Sequence, residues 1–261
     1  MESVFLYPLL GLVAGVLAGL LGIGGGLIIV PALLFIFSLE EIPPDIIPHI
    51  AVATSLATVA LTSLVAAYHH HLKHAVQWRL CLLLAPGLVL GAFAGAQVAH
   101  AMPGPLLKTC FGVYALLAAV QIGFRFEPVS TRVLPRAPGL IGVGGVIGFI
   151  SSIVGIGGGT MTVPFLTACN VPLRRAIATS AVCGFSIAIG GVFGFMLAGS
   201  GATSIPALSG YVYWPAVLGI VAGSLVAVPL GVWLAHSLPV MIILRLFALV
   251  LAVVGIRLIL S

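Results

Sequence analysis

The chain has 261 residues, 61% of them hydrophobic and only 6% charged, with a mean hydropathy of +1.32. A soluble domain carries about 25% charged residues, so the composition excludes a sizeable water-soluble domain and points to an integral membrane protein. The formal net charge of +5 is scattered over short loops and forms no basic stripe, which argues against a nucleic-acid partner.

Apolar runs fill the chain from its start. The first half reads as Val4–Leu21, Gly26–Leu39, Ile46–Leu72, Trp78–His100 and Leu106–Phe124. The second reads as Gly139–Val154, Thr160–Asn170, Arg175–Ala198, Val212–Ala235 and Val240–Leu260. The first run is taken as a membrane segment and not a cleavable leader: Glu2 precedes it without Lys or Arg, and no A-x-A site follows. The last three runs of each half reach the roughly 20 residues that a crossing needs. The second run of each half is short, and either spans thinly or folds back with the first as a re-entrant hairpin. All must be helical, because lipid offers the backbone no partners.

The halves repeat each other. Gly22-Ile23-Gly24-Gly25-Gly26 returns as Gly155-Ile156-Gly157-Gly158-Gly159, each followed by a proline, Pro31 and Pro164. Ala53-Thr54-Ser55 returns as Ala178-Thr179-Ser180, and Trp78 as Trp214. Gly87, Gly91, Gly95 and His100 match Gly223, Ala227, Gly231 and His236 at identical spacing. The expected fold is an all-α polytopic membrane protein of two structural repeats. Each repeat has three long transmembrane helices plus a broken or re-entrant Gly-rich helix pair. Residues 1–124 form the first repeat, 125–138 a linker and 139–261 the second repeat.

Lys and Arg set the orientation. Lys73 and Arg79 mark one loop, and Arg125, Arg132 and Arg136 mark the linker. Both are cytoplasmic by the positive-inside rule. Placing Arg174 and Arg175 inside as well requires an odd number of crossings per half. The halves are then inverted relative to each other, and both termini face outward.

Paired Gly/Pro interruptions in the two halves of a membrane protein point to a transport site. Glycines unwind the helix and let a ligand reach backbone N–H groups. The helix that follows aims its positive end at the gap. Close helix packing is the bland alternative, but four glycines in five residues exceed what packing needs. The A-T-S triplets add hydroxyls early in long helices, against the bland reading that they bond back to their own helix. The Gly87/Gly91/Gly95 ladder reads as a packing face, where an added methyl is expected to be milder than in the glycine strings.

His69, His70, His71 and His74 form a cluster in which His70 and His74 have the i,i+4 spacing of metal ligands. No carboxylate neighbours them, so an interfacial cluster is the preferred reading. His100 and His236 read the same way. Cys81, Cys110, Cys169 and Cys183 lack C-x-x-C spacing and read as free thiols within apolar runs. The carboxylates Glu2, Glu40, Glu41, Asp45 and Glu127 fall in termini or loops, so no carboxylate ion relay crosses the midplane. No P-loop is present, and nothing in the sequence calls for a cofactor.

Taken together, these residues resemble the TauE/SafE family of sulfite and organosulfonate exporters. The likeness rests on the glycine pattern from Gly11 to Pro31 and its echo from Gly144 to Pro164. It rests also on N-V-P-x-x-x-A-x-A-T-S at Asn170–Ser180 and A-x-A-T-S at Ala51–Ser55. The resemblance covers essentially the whole chain. It implies a plasma-membrane (inner-membrane) transporter, not an enzyme, that exports a small sulfur oxyanion or organosulfonate such as sulfite or sulfoacetate. Its partners are that anion and membrane lipid. The expected site comprises Gly24, Gly25, Gly26, Thr54, Ser55, Gly157, Gly158, Gly159, Thr160, Asn170, Thr179 and Ser180. Asn170 faces apolar Phe37 in the repeat register, so the half-sites are expected to differ. An anion channel built on the same site is the alternative. An intramembrane metalloenzyme using His69–His74 lacks a carboxylate ligand.

Overall fold

A run of apolar residues in lipid satisfies its own backbone hydrogen bonds only as a helix. The computed structural model describes residues 5–21, 25–40, 42–123, 134–201, 205–237 and 240–260. Among them lie helices α1 (Leu6–Leu21), α2 (Gly26–Ser38), α3 (Ile47–Leu72), α4 (Trp78–Ala101) and α5 (Gly104–Gly123). The second half has α6 (Ala137–Val154), α7 (Gly159–Ala168), α8 (Leu173–Ala198), α9 (Trp214–Ser237) and α10 (Val240–Leu260). Gly24 and most of the expected linker lie outside the described residues.

Prolines sit where helices begin. Pro48 opens α3 and Pro138 opens α6, positions whose N–H has no intrahelical acceptor anyway. Among the described residues, six helices are long and apolar enough to cross a membrane: α3, α4, α5, α6, α8 and α9. Helix α7 has 10 residues. At 1.5 Å per residue it covers about half of a roughly 30 Å hydrocarbon core, so it does not cross alone.

One expected boundary is corrected. Val212 and Tyr213 are not helical. They form strand β2, paired antiparallel with β1 (Leu208–Ser209) in the register Leu208↔Tyr213 and Ser209↔Val212. Thr54 Oγ1 accepts the Tyr213 N–H at 3.0 Å, which holds the chain extended until Trp214 starts α9.

Helix α3 is the centre. Its apolar window is 72% buried, against 33–50% for the other candidate spans. The dominant packing pairs are α1 on α9, α4 on α6, α4 on α8, α5 on α10 and α3 on α8. Every one of these crosses from one half to the other. The first helix of each half packs on the fourth helix of the opposite half, and α3 and α5 pack on their own counterparts.

The glycine ladder makes these contacts possible. A Cβ on Gly91 of α4 would lie 2.1 Å from the Gly145 carbonyl oxygen of α6. A Cβ on Gly223 of α9 would lie 2.1 Å from the Pro8 oxygen of α1. The packing reading of the ladder is supported, but its expected tolerance of a methyl is not. The neighbour is rigid backbone and not a side chain that can turn aside.

Candidate functional site

The second glycine string is a double left-handed turn. Gly155 has φ 78° and Gly158 φ 69°. At the end of α6 the Ile156 N–H reaches the Ser151 oxygen at 2.9 Å and the Gly155 N–H the Ser152 oxygen at 3.3 Å. This is a Schellman closure, which favours glycine in the left-handed position. Gly158 then starts α7, its carbonyl accepting from Met161 and Thr162 N–H at 3.0 and 2.8 Å. The first half repeats the exit: Gly25 has φ 73°, and its carbonyl accepts from Ile28 and Ile29 N–H at 3.0 and 3.1 Å.

No side chain caps α2 or α7. The opening N–H groups of a helix lack intrahelical acceptors and carry its positive end. Both helix starts therefore present donors without a side-chain acceptor. Pro31 and Pro164 lie inside the same two helices, where a missing N–H leaves a carbonyl unpaired one turn earlier.

The two strings meet. A Cβ on Gly26 would lie 2.7 Å from the Gly155 oxygen, 3.0 Å from Ile156 Cα and 3.4 Å from Ser55 Oγ. Ser55 Oγ itself donates to the Gly155 oxygen at 2.8 Å. Gly26, Ser55 and the Gly155–Ile156 peptide thus form one contact between the halves. Beside it is a cavity lined by Gly157, Ser180, Thr62 and Ser63, with Ala18, Ala66 and Ala181 as its apolar wall. Its volume is about 10 Å³, room for roughly one water. A three-oxygen anion does not fit this conformation.

The expected site residues divide. Gly25, Gly26, Gly157, Gly158, Gly159, Ser55 and Ser180 lie in or beside the two turns. Thr160 at the start of α7 is hydrogen-bonded to Tyr114 of α5. Thr54 and Thr179 are fully buried but do not line the cavity. Each accepts a backbone N–H instead: Thr54 from Tyr213 at 3.0 Å, Thr179 from Gln77 at 3.2 Å. Those donors directly precede Trp214 and Trp78, so the two threonines hold the starts of α9 and α4. Asn170 is not brought to the group. It sits beyond the far end of α7, exposed, with φ 62°, a left-handed turn position that asparagine tolerates.

Thr54→Val and Thr179→Val should each lower stability by about 1 kcal/mol. That is the lower end of the cost of an unpaired donor, because Tyr213 and Gln77 are half-buried. A fall in Tm in detergent is the readout. An unchanged Tm in both would show that the helix starts do not depend on them.

Sequence reasoning missed Thr62 and Ser63. They fall seven and eight residues after Ser55, two turns along the same face of α3, and that spacing was the available signal. It also missed Ser151, Ser152 and Thr162, whose buried hydroxyl oxygens have no hydrogen-bond partner. Ser151 Oγ lies 3.2 Å from where a Gly158 Cβ would sit. The repeat register puts Ala18, Gly19 and Ile29 opposite these three. The halves are inequivalent as expected, but at these positions as well as at Asn170, whose counterpart Phe37 is buried against Tyr213 with ring centroids 5.8 Å apart.

The histidine cluster has no helical i,i+4 pair. Helix α3 ends at Leu72, and His74 beyond it has φ 51°. His71 Nδ1 accepts the Trp78 indole N–H at 3.2 Å. None of the four cysteines is joined in a disulfide, and Cys110 is only half-buried. Among the residues whose side chains are described, the lysines and arginines lie in loops or within two turns of a helix end, so the donors shown at the glycine turns are backbone N–H groups and hydroxyls. In the hairpin, burial raises the Tyr211 and Tyr213 phenols above their ordinary value, and the Glu40 charge adds to the shift at Tyr213.

Residues 7–258 match the family described as Sulfite exporter TauE/SafE. A probable membrane transporter protein of Haemophilus influenzae is 38% identical over 262 residues, covering 99% of this chain and 98% of the relative. One of Methanocaldococcus jannaschii is 29% identical, covering 88% of this chain and 84% of the relative. One of Bacillus subtilis is 26% identical, covering 98% and 97%. No solved structure matches the chain at a significant level. With six helices able to span a membrane and a family match along nearly its whole length, this multi-pass membrane protein belongs to the TauE/SafE sulfite exporter family of transporters.

Proposed function

We propose that the protein is a carrier that exports sulfite or a small organosulfonate by alternating access. The observation that carries this reading is the meeting, at Gly26 and Ser55, of the uncapped α2 start with the Gly155–Ile156 turn that leads from α6 into the uncapped α7. Backbone donors and hydroxyls suit a small oxyanion that must also be released. The proposed site is the two glycine turns with Ser55, Ser63, Thr62, Ser180 and Thr160; Thr54 and Thr179 act by holding helix starts. Asn170 is left out.

The water-sized cavity fits a closed stage of the cycle better than an open channel. The crossed packing of the halves, α1 on α9 and α6 on α4, suits two inverted repeats that rock about a fixed site. A cytoplasmic linker and outward termini complete the orientation, and cysteine labelling at positions 130 and 261 from one side at a time tests it. Labelling of both from the same side contradicts the inversion. The membrane potential, worth about 2.3 kcal/mol per charge per 100 mV, drives an anion out of a negative interior.

Calorimetric titration of the purified protein with sulfite, sulfate, thiosulfate, sulfoacetate and taurine tests the substrate class. Sulfite or sulfoacetate should bind tightest. A hydrogen bond to a charged group contributes about 1.5–3 kcal/mol, so Ser63→Ala and Ser180→Ala should each weaken binding roughly 10- to 150-fold. Absence of binding by all five compounds, or unchanged affinity in both variants, would contradict the reading.

A further inference from the structure

Away from the glycine turns, one buried ring is surrounded by acceptors. His49, in the first turn of α3, is 5% exposed. Its Nε2 lies 3.1 Å from the Ala99 oxygen and 3.1 Å from the Met102 oxygen, at the end of α4. The Nδ1 atom is buried without a partner.

Carbonyl oxygens only accept, so Nε2 carries the proton of the neutral ring. Nδ1 is then a bare acceptor with no donor beside it. A second proton converts it into a donor, and the ring then offers N–H on both sides. One ring face is covered. Tyr211 of the hairpin stacks on it, with centroids 5.2 Å apart at 29°, and an aromatic face attracts a cation.

The groups around this mouth are few. His100 of α4 holds the Tyr211 hydroxyl at 3.0 Å, and its charge, when present, opposes a second one on His49. Asp45 precedes α3. Glu40, after α2, accepts from Tyr7 of α1 at 2.8 Å, and Tyr213 stands near that pair, its ring centroid 6.5 Å from that of Tyr7. Helix α5 brings Lys108 in its second turn. The last turn of α8 and the first turn of α9 bring no charged residue. Arg257 lies in the last turn of α10, the end of that helix that packs on α5 at Gly112.

The repeat register makes the position pointed. Ala51–Ser55 matches Ala176–Ser180, which puts Arg174 opposite His49. One mouth carries an exposed, permanent cation; the other carries a buried ring charged only when protonated. The same helix holds the hairpin through Thr54 and the opposite half through Ser55. His49 thus lies within two turns of the contact between the halves.

We propose that His49 is the proton-binding site of the carrier, and that one proton enters through it for each anion that leaves. This rests on the transport reading above. Exchange uses both an acidic exterior and a negative interior, and it gives a sequence without a midplane carboxylate a coupling ion.

Proteoliposomes loaded with sulfoacetate and a pH dye, clamped at zero voltage with valinomycin and potassium, read proton and anion movement together. Sulfoacetate efflux should acidify the lumen, and His49→Gln should reduce protons moved per anion about tenfold or more. Efflux with no pH change, efflux with alkalinisation, or an unaltered ratio in the variant would overturn the proposal. If the variant does not fold, wild-type acidification alone decides. If sulfoacetate does not move at all, the substrate reading fails, and histidine-ring nitrogen NMR of the full chain in nanodiscs decides separately. The His49 ring should pass from neutral to imidazolium as the pH falls across the range over which transport is measured. A ring fixed in one state over that range would overturn the proposal.

Discussion

Gly91→Ala is expected to leave little folded protein. The added methyl would sit 2.1 Å from the Gly145 oxygen, 2.8 Å from its carbonyl carbon and 2.9 Å from its Cα. None of these is a side chain that can rotate away, so α4 and α6 must separate. Helix α4 is also packed on α8, and the displacement spreads to the second contact. Overpacking costs typically 1–3 kcal/mol, and a backbone collision belongs at about 3 kcal/mol or above. Gly142→Ala is the matched control, because a Cβ there meets nothing within 4 Å. Size-exclusion profile and Tm in detergent give the comparison. Equal behaviour of the two variants would mean that α4 and α6 do not pack through this ladder.

Gly158→Val should have the opposite signature: protein that inserts and purifies, with transport lost. An L-residue in the left-handed region costs roughly 1–2 kcal/mol, and a β-branched one is a genuine outlier there. The Cβ would lie 2.3 Å from Ile187 Cδ1, the movable end of a flexible side chain, and 3.2 Å from Ser151 Oγ. The strain is local and survivable, while the bulk fills the approach to the α7 start. Gly25→Val has more room, its nearest atom being the Ala14 oxygen at 3.3 Å. It should fold better than Gly158→Val and be equally inactive. Normal anion flux in both would remove the glycine turns from the site.

The helices, the duplication and the broken segments were legible because each rests on local sequence: apolar run length, a repeated string, glycines before a proline. The short hairpin before α9 was not legible. It depends on Thr54, more than 150 residues away, accepting the Tyr213 N–H. The A-T-S triplets show the same limit. Their pairing in the repeat was visible, but Thr54 and Thr179 hold N–H groups ahead of helices, Ser55 donates to the Gly155 oxygen, and Ser180, at the cavity wall, donates back to the Ile177 oxygen of its own helix. Sequence pairing does not say which of two neighbouring hydroxyls faces which element. The ladder was recognised as packing, but a spacing of four cannot reveal that the opposing surface is bare backbone, since that depends on Gly145 of another helix. His49 was missed for a related reason. A single histidine in an apolar helix carries no signal until its neighbours are known.

Counterflow of labelled sulfite in proteoliposomes tests the central claim most directly. Vesicles preloaded with unlabelled sulfite should transiently accumulate the label above its equilibrium level, and Gly158→Val should not. Uptake that only equilibrates, at a rate linear in concentration, would identify a channel and contradict the account of a carrier with a site between two glycine turns.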